Sequence, residues 1–465
     1  MAEAGGCGAP GWRSPRLEPV DDCAEPLWVT LGRSRPQGRP DVLLVIVDTL
    51  RADHVTPART PRIQGHAERA WWPEQAWSPS PWTQPAVAAL FSGRPPWALF
   101  PQAARALPDG VTTWIEQLET HERWMVGTNP FVTDKRGFHQ GFSRFRMATD
   151  DGTAVAHARA WWAEPRRGPR LLVVHLFGPH LPYAPASPPP GAGPHVKDHF
   201  DDLDSIGRYR NAGDEARIAA LYAADVAEVD AHVGALLDLV GPDAITAVVS
   251  DHGEELFEHG GFEHGHALWP EIVRVHAAVQ VPGRPPLRPT GPVRLQDVGQ
   301  TLALAAGVPP DPLWSPPTDV VYLGYPSKRR PPVHTDGIVA PEGVLLRGKA
   351  RHVVGDAAAL EARMARVDGL RWRGERTESR WCKVAVTAGE VLTLPSTVTW
   401  REHEPPTAWG PARREGTELV VHPTRSGSWA LSGTEGAECR TERLETLRPL
   451  DSLELQGLRA LGYVE

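Results

Sequence analysis

The chain alternates between uniformly apolar runs and stretches of helical periodicity. Residues 41–49, Arg170–Leu176, Ala244–Ser250 and Val275–Val281 are nearly continuous apolar segments. Such runs predict strands of a parallel sheet covered on both faces. Between them, Gln84–Phe91 predicts a helix with Pro85 in its first turn, and Leu295–Ala306 predicts another. From Glu215 to Leu239, residues Ile218, Leu221, Tyr222, Val226, Val229, Val233, Leu236, Leu237 and Val240 fall on one helical face. Strands alternating with helices predict an α/β domain with a doubly wound, mostly parallel sheet. The pattern closes near residue 325. Beyond it, Gly343–Leu346, Lys383–Val386 and Glu418–Val421 lean towards β structure, and Leu453–Leu461 resembles a terminal helix. This predicts three parts: a disordered or loosely packed leader over 1–39, a large α/β domain over 40–325, and a smaller C-terminal α+β subdomain over 326–465.

Composition narrows the class. The chain has 465 residues, 41% hydrophobic and 23% charged, enough for one large domain and a smaller one. Its formal net charge of -8 argues against nucleic-acid binding through a basic face. The 48 prolines and 44 glycines, with arginine far commoner than lysine, fit a GC-rich bacterial genome. Cys7, Cys23, Cys382 and Cys439 are too far apart for a zinc knuckle or a disulfide framework, so reduced thiols are expected. The first residues lack the basic and apolar regions of a signal peptide, and no run is long enough to span a bilayer. A soluble, cytoplasmic protein is the expectation.

Charge placement supplies the chemistry. Asp48 ends the first apolar run, and Asp251-His252-Gly253-Glu254-Glu255 ends the third. Ligands of open α/β sheets bind outside the carboxyl ends of the strands. Two acidic strand ends and an adjacent histidine therefore suggest a divalent-metal site. An isolated Asp at such a place is often only a helix N-cap, but His252 has no capping use. The run Glu258–His266 adds three histidines among glycines, which let backbone approach a ligand closely. Thr83 stands where a helix begins, a position that favours anions and also suits an N-cap.

In order along the chain, these segments resemble the sulfatase branch of the alkaline phosphatase superfamily. Val47-Asp48-Thr49-Leu50-Arg51-Ala52-Asp53 looks like the family's first metal-ligand segment, and Thr60-Pro61 like its next landmark. Sulfatases carry Cys or Ser, with Pro two, Arg four, Leu seven and Gly ten residues on. Thr83, Pro85, Leu90 and Gly93 keep that frame. Tyr222–Leu237 resembles the helix before the second metal segment, and Ser250–Glu254 resembles that segment itself. His264-Gly265, Arg274-Val275 and Asp297–Pro309 follow in family order. The implied fold is alkaline-phosphatase-like.

Three departures redirect the chemistry. Sulfatases oxidise their Cys or Ser to formylglycine. Threonine, with its β-methyl group, cannot give that aldehyde, so formylglycine is not expected. Val87 stands where the family has Arg, and Thr49 where it has a second Asp. Threonine at the nucleophile position is instead similar to the phosphoester branches: nucleotide pyrophosphatases/phosphodiesterases, phosphopentomutase and lipoteichoic acid synthase. The resemblance implies one divalent metal on Asp48, Thr83, Asp251 and His252. Mn²⁺, Mg²⁺ or Zn²⁺ suits this set, and Ca²⁺ is less favoured. A second metal is disfavoured, because Leu176 stands where two-metal relatives carry Asp. The implied catalytic residues are Thr83 as nucleophile, with His264 or His180 protonating the leaving oxygen. Asn129, His180 and His264 are the substrate-binding candidates, although Asn129-Pro130 also reads as a plain turn. His175 reads as a core residue, His266 as a loop histidine, Lys135 as a solvated lysine. Trp71, Trp72, Trp77 and Trp82 either wall the pocket or pack the connection before Thr83.

The resulting expectation is a metal-dependent hydrolase or transferase cleaving a phosphate or sulfate ester, the phosphoester favoured. Its substrate would be a small-molecule, glycan or lipid ester, with no nucleic-acid partner. Two alternatives stay open: sulfuric ester hydrolysis without formylglycine, and a non-catalytic family member that binds a ligand or protein.

Overall fold

Six consecutive apolar residues form strand β1, Val42–Val47, and all six are fully buried. Burial on both faces explains why the run shows no polar alternation. The computed structural model describes residues 39–99, 106–108, 111–192, 212–308, 320–323, 334–348 and 351–371. It also gives the backbone of strands at 381–386, 392–395, 399–400, 412–415, 418–421, 427–432 and 439–440. The leader up to residue 38 and the terminal segment 453–461 lie outside the described residues.

The central sheet adds β2 (Glu122–Gly127), β3 (Arg144–Met147), β4 (Arg170–Leu176), β5 (Ile245–Ser250) and β6 (Ala277–Gln280). Their spatial order is β6-β5-β1-β4-β2-β3. Every neighbouring pair is parallel except β6 with β5. The register carries the functional consequence. Val47 pairs with both Leu176 and Ser250, so three strands end level. Asp48 and Asp251, each one residue further, emerge side by side.

Helices cover both faces, giving the expected doubly wound α/β architecture. On one face, α1 (Thr83–Ser92) lies with a helix whose described bounds are Leu295–Ala305, packed over Val42, Leu44 and Ile46. On the other, α2 (Asp151–Trp162) and α3 (Ala212–Leu237) pack over Leu43, Val45 and Val47. Alternate β1 residues thus serve opposite cores, as the period-2 strand geometry requires. Each such side chain contributes roughly 1.5–3 kcal/mol of apolar burial. The Leu295–Ala305 helix, α4, has Gly299 against the Leu90 carbonyl of α1, where a Cβ would collide.

Several boundaries differ from expectation. The first strand stops at Val47, because Thr49 takes a left-handed backbone with φ 52°. The Val275–Val281 run is not one strand. It breaks at His276, whose N–H and carbonyl bond the Ser250 hydroxyl and N–H. Arg274–Val275 joins a separate three-stranded sheet with Gln75–Trp77 and Pro292–Arg294. Of the four tryptophans, Trp71 and Trp77 are core residues and Trp72 lies against Arg288; Trp82 alone adjoins Thr83.

Towards the C-terminus, Val320–Leu323, His334–Ala340, Gly343–Gly348 and His352–Gly355 form an antiparallel sheet. The helix Ala357–Arg371 buries Leu360 and Met364 against Ile338 and Leu345. Val339 and Leu346 cluster with Trp77, Leu268, Ile272 and Val273, so this sheet packs beside the loops that follow β5. Among the described residues, no helix is long and apolar enough to cross a membrane.

Candidate active site

Four side chains from three distant segments meet at the level strand ends. Asp48 follows β1, Asp251 and His252 follow β5, and Thr83 opens α1; all four are buried. Thr83 is the first helical residue rather than the cap. Trp82 occupies the N-cap position and makes no side-chain capping bond. The Thr83 hydroxyl is therefore available to the site, where it lies 3.1 Å from His252 Nε2.

The tautomer of His252 follows from its other nitrogen. Nδ1 is 2.9 Å from the Gly253 carbonyl, which can only accept, so Nδ1 carries the proton. The Nε2 lone pair then faces Asp48 Oδ1 at 3.4 Å and Asp251 Oδ2 at 3.5 Å. Those two carboxylate oxygens are buried and have no hydrogen-bond partner among the described residues. Unpartnered buried acceptors are rare, because leaving one unsatisfied costs about 1–3 kcal/mol. Asp48, Asp251 and His252 can each aim a ligand atom so that all lie within 4.8 Å of one another. Converging electron-pair donors fit a divalent cation.

Electrostatics agree with that fit. Burial pushes the Asp48 carboxyl well above the usual carboxylate range, and the facing Asp251 adds to the rise. Burial likewise pushes Asp251 up to about 7. His252 is held well below the usual histidine range by burial and by the nearby His264. Two like charges this close resist ionising together unless a cation joins them.

The local backbone is built to hold these groups. The left-handed turn at Thr49 directs its N–H to Asp251 Oδ1 at 3.3 Å. The Tyr222 hydroxyl spans this turn, donating to the Thr49 carbonyl at 2.7 Å and accepting from the Arg51 N–H at 3.0 Å. Gly253 lies so near the Glu271 carbonyl that any Cβ would collide, and its N–H bonds the Ile272 carbonyl at 2.6 Å.

The remaining candidates surround this cluster. Asn129, two residues past β2, donates from Nδ2 to Asp48 Oδ2 and to the Thr83 hydroxyl at 3.4 Å. It is thus a partner of the cluster, and its Oδ1 accepts from the Phe131 N–H at 2.6 Å. His180 stacks on Phe177 and meets the His264 ring edge-on at 5.0 Å. Its Nδ1 donates to the Leu181 carbonyl at 2.7 Å, and burial lowers the ring to about 3. His264 lies 4.3 Å from the His252 ring, centroid to centroid. Lys135 sits on the short turn Asp134–Arg136, beside the Phe131 segment.

Other contributors carried no local sequence signal. His175 is buried on β4 with Nε2 3.8 Å from Asp48 Oδ2. Asp151 receives the N–H groups of Phe177 and Gly178, anchoring the turn that holds His180. Arg51 ties Asp53, Glu258 and the Glu254 carbonyl together. His266 is more than a loop histidine: its Nε2 meets Glu255 at 2.6 Å in a buried pair.

A family model described as Sulfatase matches residues 40–308. The chain belongs to the sulfatase family. Comparison with curated proteins finds no match. Among solved structures, this sulfatase-family chain is similar to BT1596, a 2-O GAG sulfatase, with TM-score 0.56 and 16% identity over 72% of this chain and 91% of that one. BT4656, solved in complex with D-glucosamine-2-N,6-O-disulfate, gives 0.55 and 14% over 73% and 99%. The phosphonate monoester hydrolase of Agrobacterium radiobacter gives 0.53 and 14% over 71% and 95%. At these identities the likeness concerns the fold alone, which this chain shares with each of these structures.

Proposed function

We propose that this sulfatase-family protein is a metal-dependent phosphoester hydrolase, or a transferase, using Thr83 as its nucleophile. One observation carries the reading: an unmodified threonine hydroxyl, not engaged in capping, faces the buried Asp48-Asp251-His252 set. Threonine cannot supply formylglycine, and Val87 replaces the arginine that sulfatases place four residues on. Solved neighbours include both sulfatases and a phosphonate monoester hydrolase, so the scaffold alone does not choose the ester.

Asp48, Asp251, His252 and Thr83 would hold one divalent ion, Mn²⁺, Mg²⁺ or Zn²⁺. When bound, such an ion lowers the hydroxyl's pKa and offsets negative charge on the phosphoryl oxygens. The Thr83 hydroxyl gives up its proton to solvent, Oγ attacks phosphorus in line as the P–O ester bond breaks, and the ester oxygen leaves with a proton from the histidine pair. Neutral His180 keeps its proton on Nδ1, bonded to the Leu181 carbonyl, so it suits accepting better than donating. His264 faces a carboxyl rather than a carbonyl: with Glu254 on Nδ1 the ring can carry a proton on each nitrogen, so its Nε2 can donate. Asn129 orients Asp48 and Thr83 together. Water or an acceptor alcohol then attacks the phosphothreonine and regenerates Thr83. We assign this chemistry to residues 40–325 and leave the C-terminal sheet and helix as a wall beside the site.

A panel of nitrophenyl phosphate, bis-nitrophenyl phosphate and nitrophenyl sulfate with each metal tests the reading. Phosphate-ester turnover that Thr83→Ala abolishes, with folding intact, is the expected result. Full activity in that variant would sink the proposal. Turnover of the sulfate ester alone would replace it with sulfuric ester hydrolysis from an unmodified threonine.

A further inference from the structure

The buried carboxyl of Glu254 joins three segments that carry the site. Its Oε1 lies 2.9 Å from His264 Nδ1, and its Oε2 accepts from the Tyr183 hydroxyl at 2.9 Å. Its carbonyl accepts from Arg51 Nη1 at 3.2 Å, and its N–H donates to the Glu271 carbonyl at 3.1 Å. Every polar atom of this residue is thus engaged, within a side chain that has no exposure.

The backbone around it is distorted to make these contacts. Tyr183 has φ 47° and Glu263, immediately before His264, has φ 71°. A left-handed backbone at a bulky residue costs on the order of 1–3 kcal/mol and persists only where the surroundings over-determine it. Tyr183 is gripped edge-on by Tyr222 and Phe262. The strained tyrosine therefore delivers its hydroxyl to one carboxyl oxygen, and the strained glutamate delivers His264 to the other.

We propose that Glu254 is the positioning residue for His264, with Tyr183 locking the carboxyl in place. This rests on the reading above that His264 faces the reacting ester. With Nδ1 tied to Glu254, the ring plane is fixed and proton exchange with the ester runs through Nε2. The bond exists whichever partner carries the proton, so the role is geometric. Glu254 touches neither the ester nor the metal donor set.

The test compares Glu254→Ala, His264→Ala, the double variant, Glu254→Gln and Tyr183→Phe in the full chain. It uses the nitrophenyl ester turned over by the wild type, with metal content measured alongside. His264→Ala should lower kcat by about 10²-fold, the scale of lost acid–base assistance. Glu254→Ala should lower kcat by a comparable factor, leaving KM and bound metal unchanged. The double variant should be no slower than His264→Ala alone, since residues acting through one another are non-additive. Glu254→Gln keeps an acceptor for Nδ1 and a partner for Tyr183, so it should lose only about threefold; it also carries the test if the alanine variant does not fold. Tyr183→Phe should fall between the two. Additive losses, loss of metal from Glu254→Ala, or a Glu254→Gln variant as slow as His264→Ala would each overturn the assignment. Full activity in His264→Ala would overturn it by removing the role of His264. Retained activity in Thr83→Ala would instead strike the underlying reading, so the two failures are distinguishable.

Discussion

Replacing Tyr222 by Phe removes one oxygen atom, yet that atom satisfies two main-chain groups. The side chain is fully buried on α3 and its hydroxyl bridges the Thr49 carbonyl and the Arg51 N–H. Phenylalanine keeps the ring packing but leaves a buried acceptor and a buried donor without a partner. Each such group costs about 1–3 kcal/mol. Relaxation of the left-handed Thr49 turn returns part of the loss, so the expected destabilisation is about 3 kcal/mol. With a urea slope near the upper end of the usual range, about 3 kcal/mol per M, the midpoint should fall by about 1 M. Urea unfolding followed by circular dichroism measures it. Because Asp48 immediately precedes the turn, the variant should also turn over ester more slowly. A midpoint shift under about 0.2 M would refute the argument, since it would show that the hydroxyl is not what holds the turn.

Burial and the neighbouring Glu228 push the Asp225 carboxyl up to about 8. Below its unfolded value both states hold the proton. From about pH 4 to about pH 8 only the folded state keeps it, so stability falls as pH rises through that window. Asp225→Asn should therefore gain stability over wild type at pH 8 and little at pH 4, as urea midpoints at the two pH values would reveal. Asp251→Ala should fail to retain a divalent ion through gel filtration, whereas wild type should keep close to one per chain by elemental analysis. Gly253→Ala should lose both stability and activity, because its new methyl meets the Glu271 carbonyl; unchanged melting would contradict that packing.

The strand ends were legible because each chemical group follows an apolar run long enough to read as a strand. Asp48, Asp251 and His252 could be found that way, and Thr83 by its place before a helical stretch. The parallel register then brings them together without further specification. The supporting residues were not legible for the opposite reason. Tyr222 meets Thr49 across 173 positions of sequence, and Tyr183 meets Glu254 across 71. Nothing local to a buried tyrosine announces such a partner. The Gln75–Trp77 and Pro292–Arg294 strands carry no sequence signal because three residues cannot display a period, and the break at His276 is hidden inside an apolar run. The edge strand β3, Arg144–Met147, was hidden by its two arginines. The left-handed turn at Thr49 has no sequence signal, because threonine is among the residues least expected there.

Helix α1 is enclosed on every side, all ten of its residues being buried between the sheet and α4. A rod gripped along its whole length leaves only its amino end open to chemistry. Evolution or a protein engineer can then rewrite the surrounding loops, and so the choice of ester, while the attacking hydroxyl stays where it is. Substitutions inside the rod must fit its packing, as the apolar Val87 does in place of the family's arginine, so selection for new substrates should collect in the loops after β2, β4 and β5.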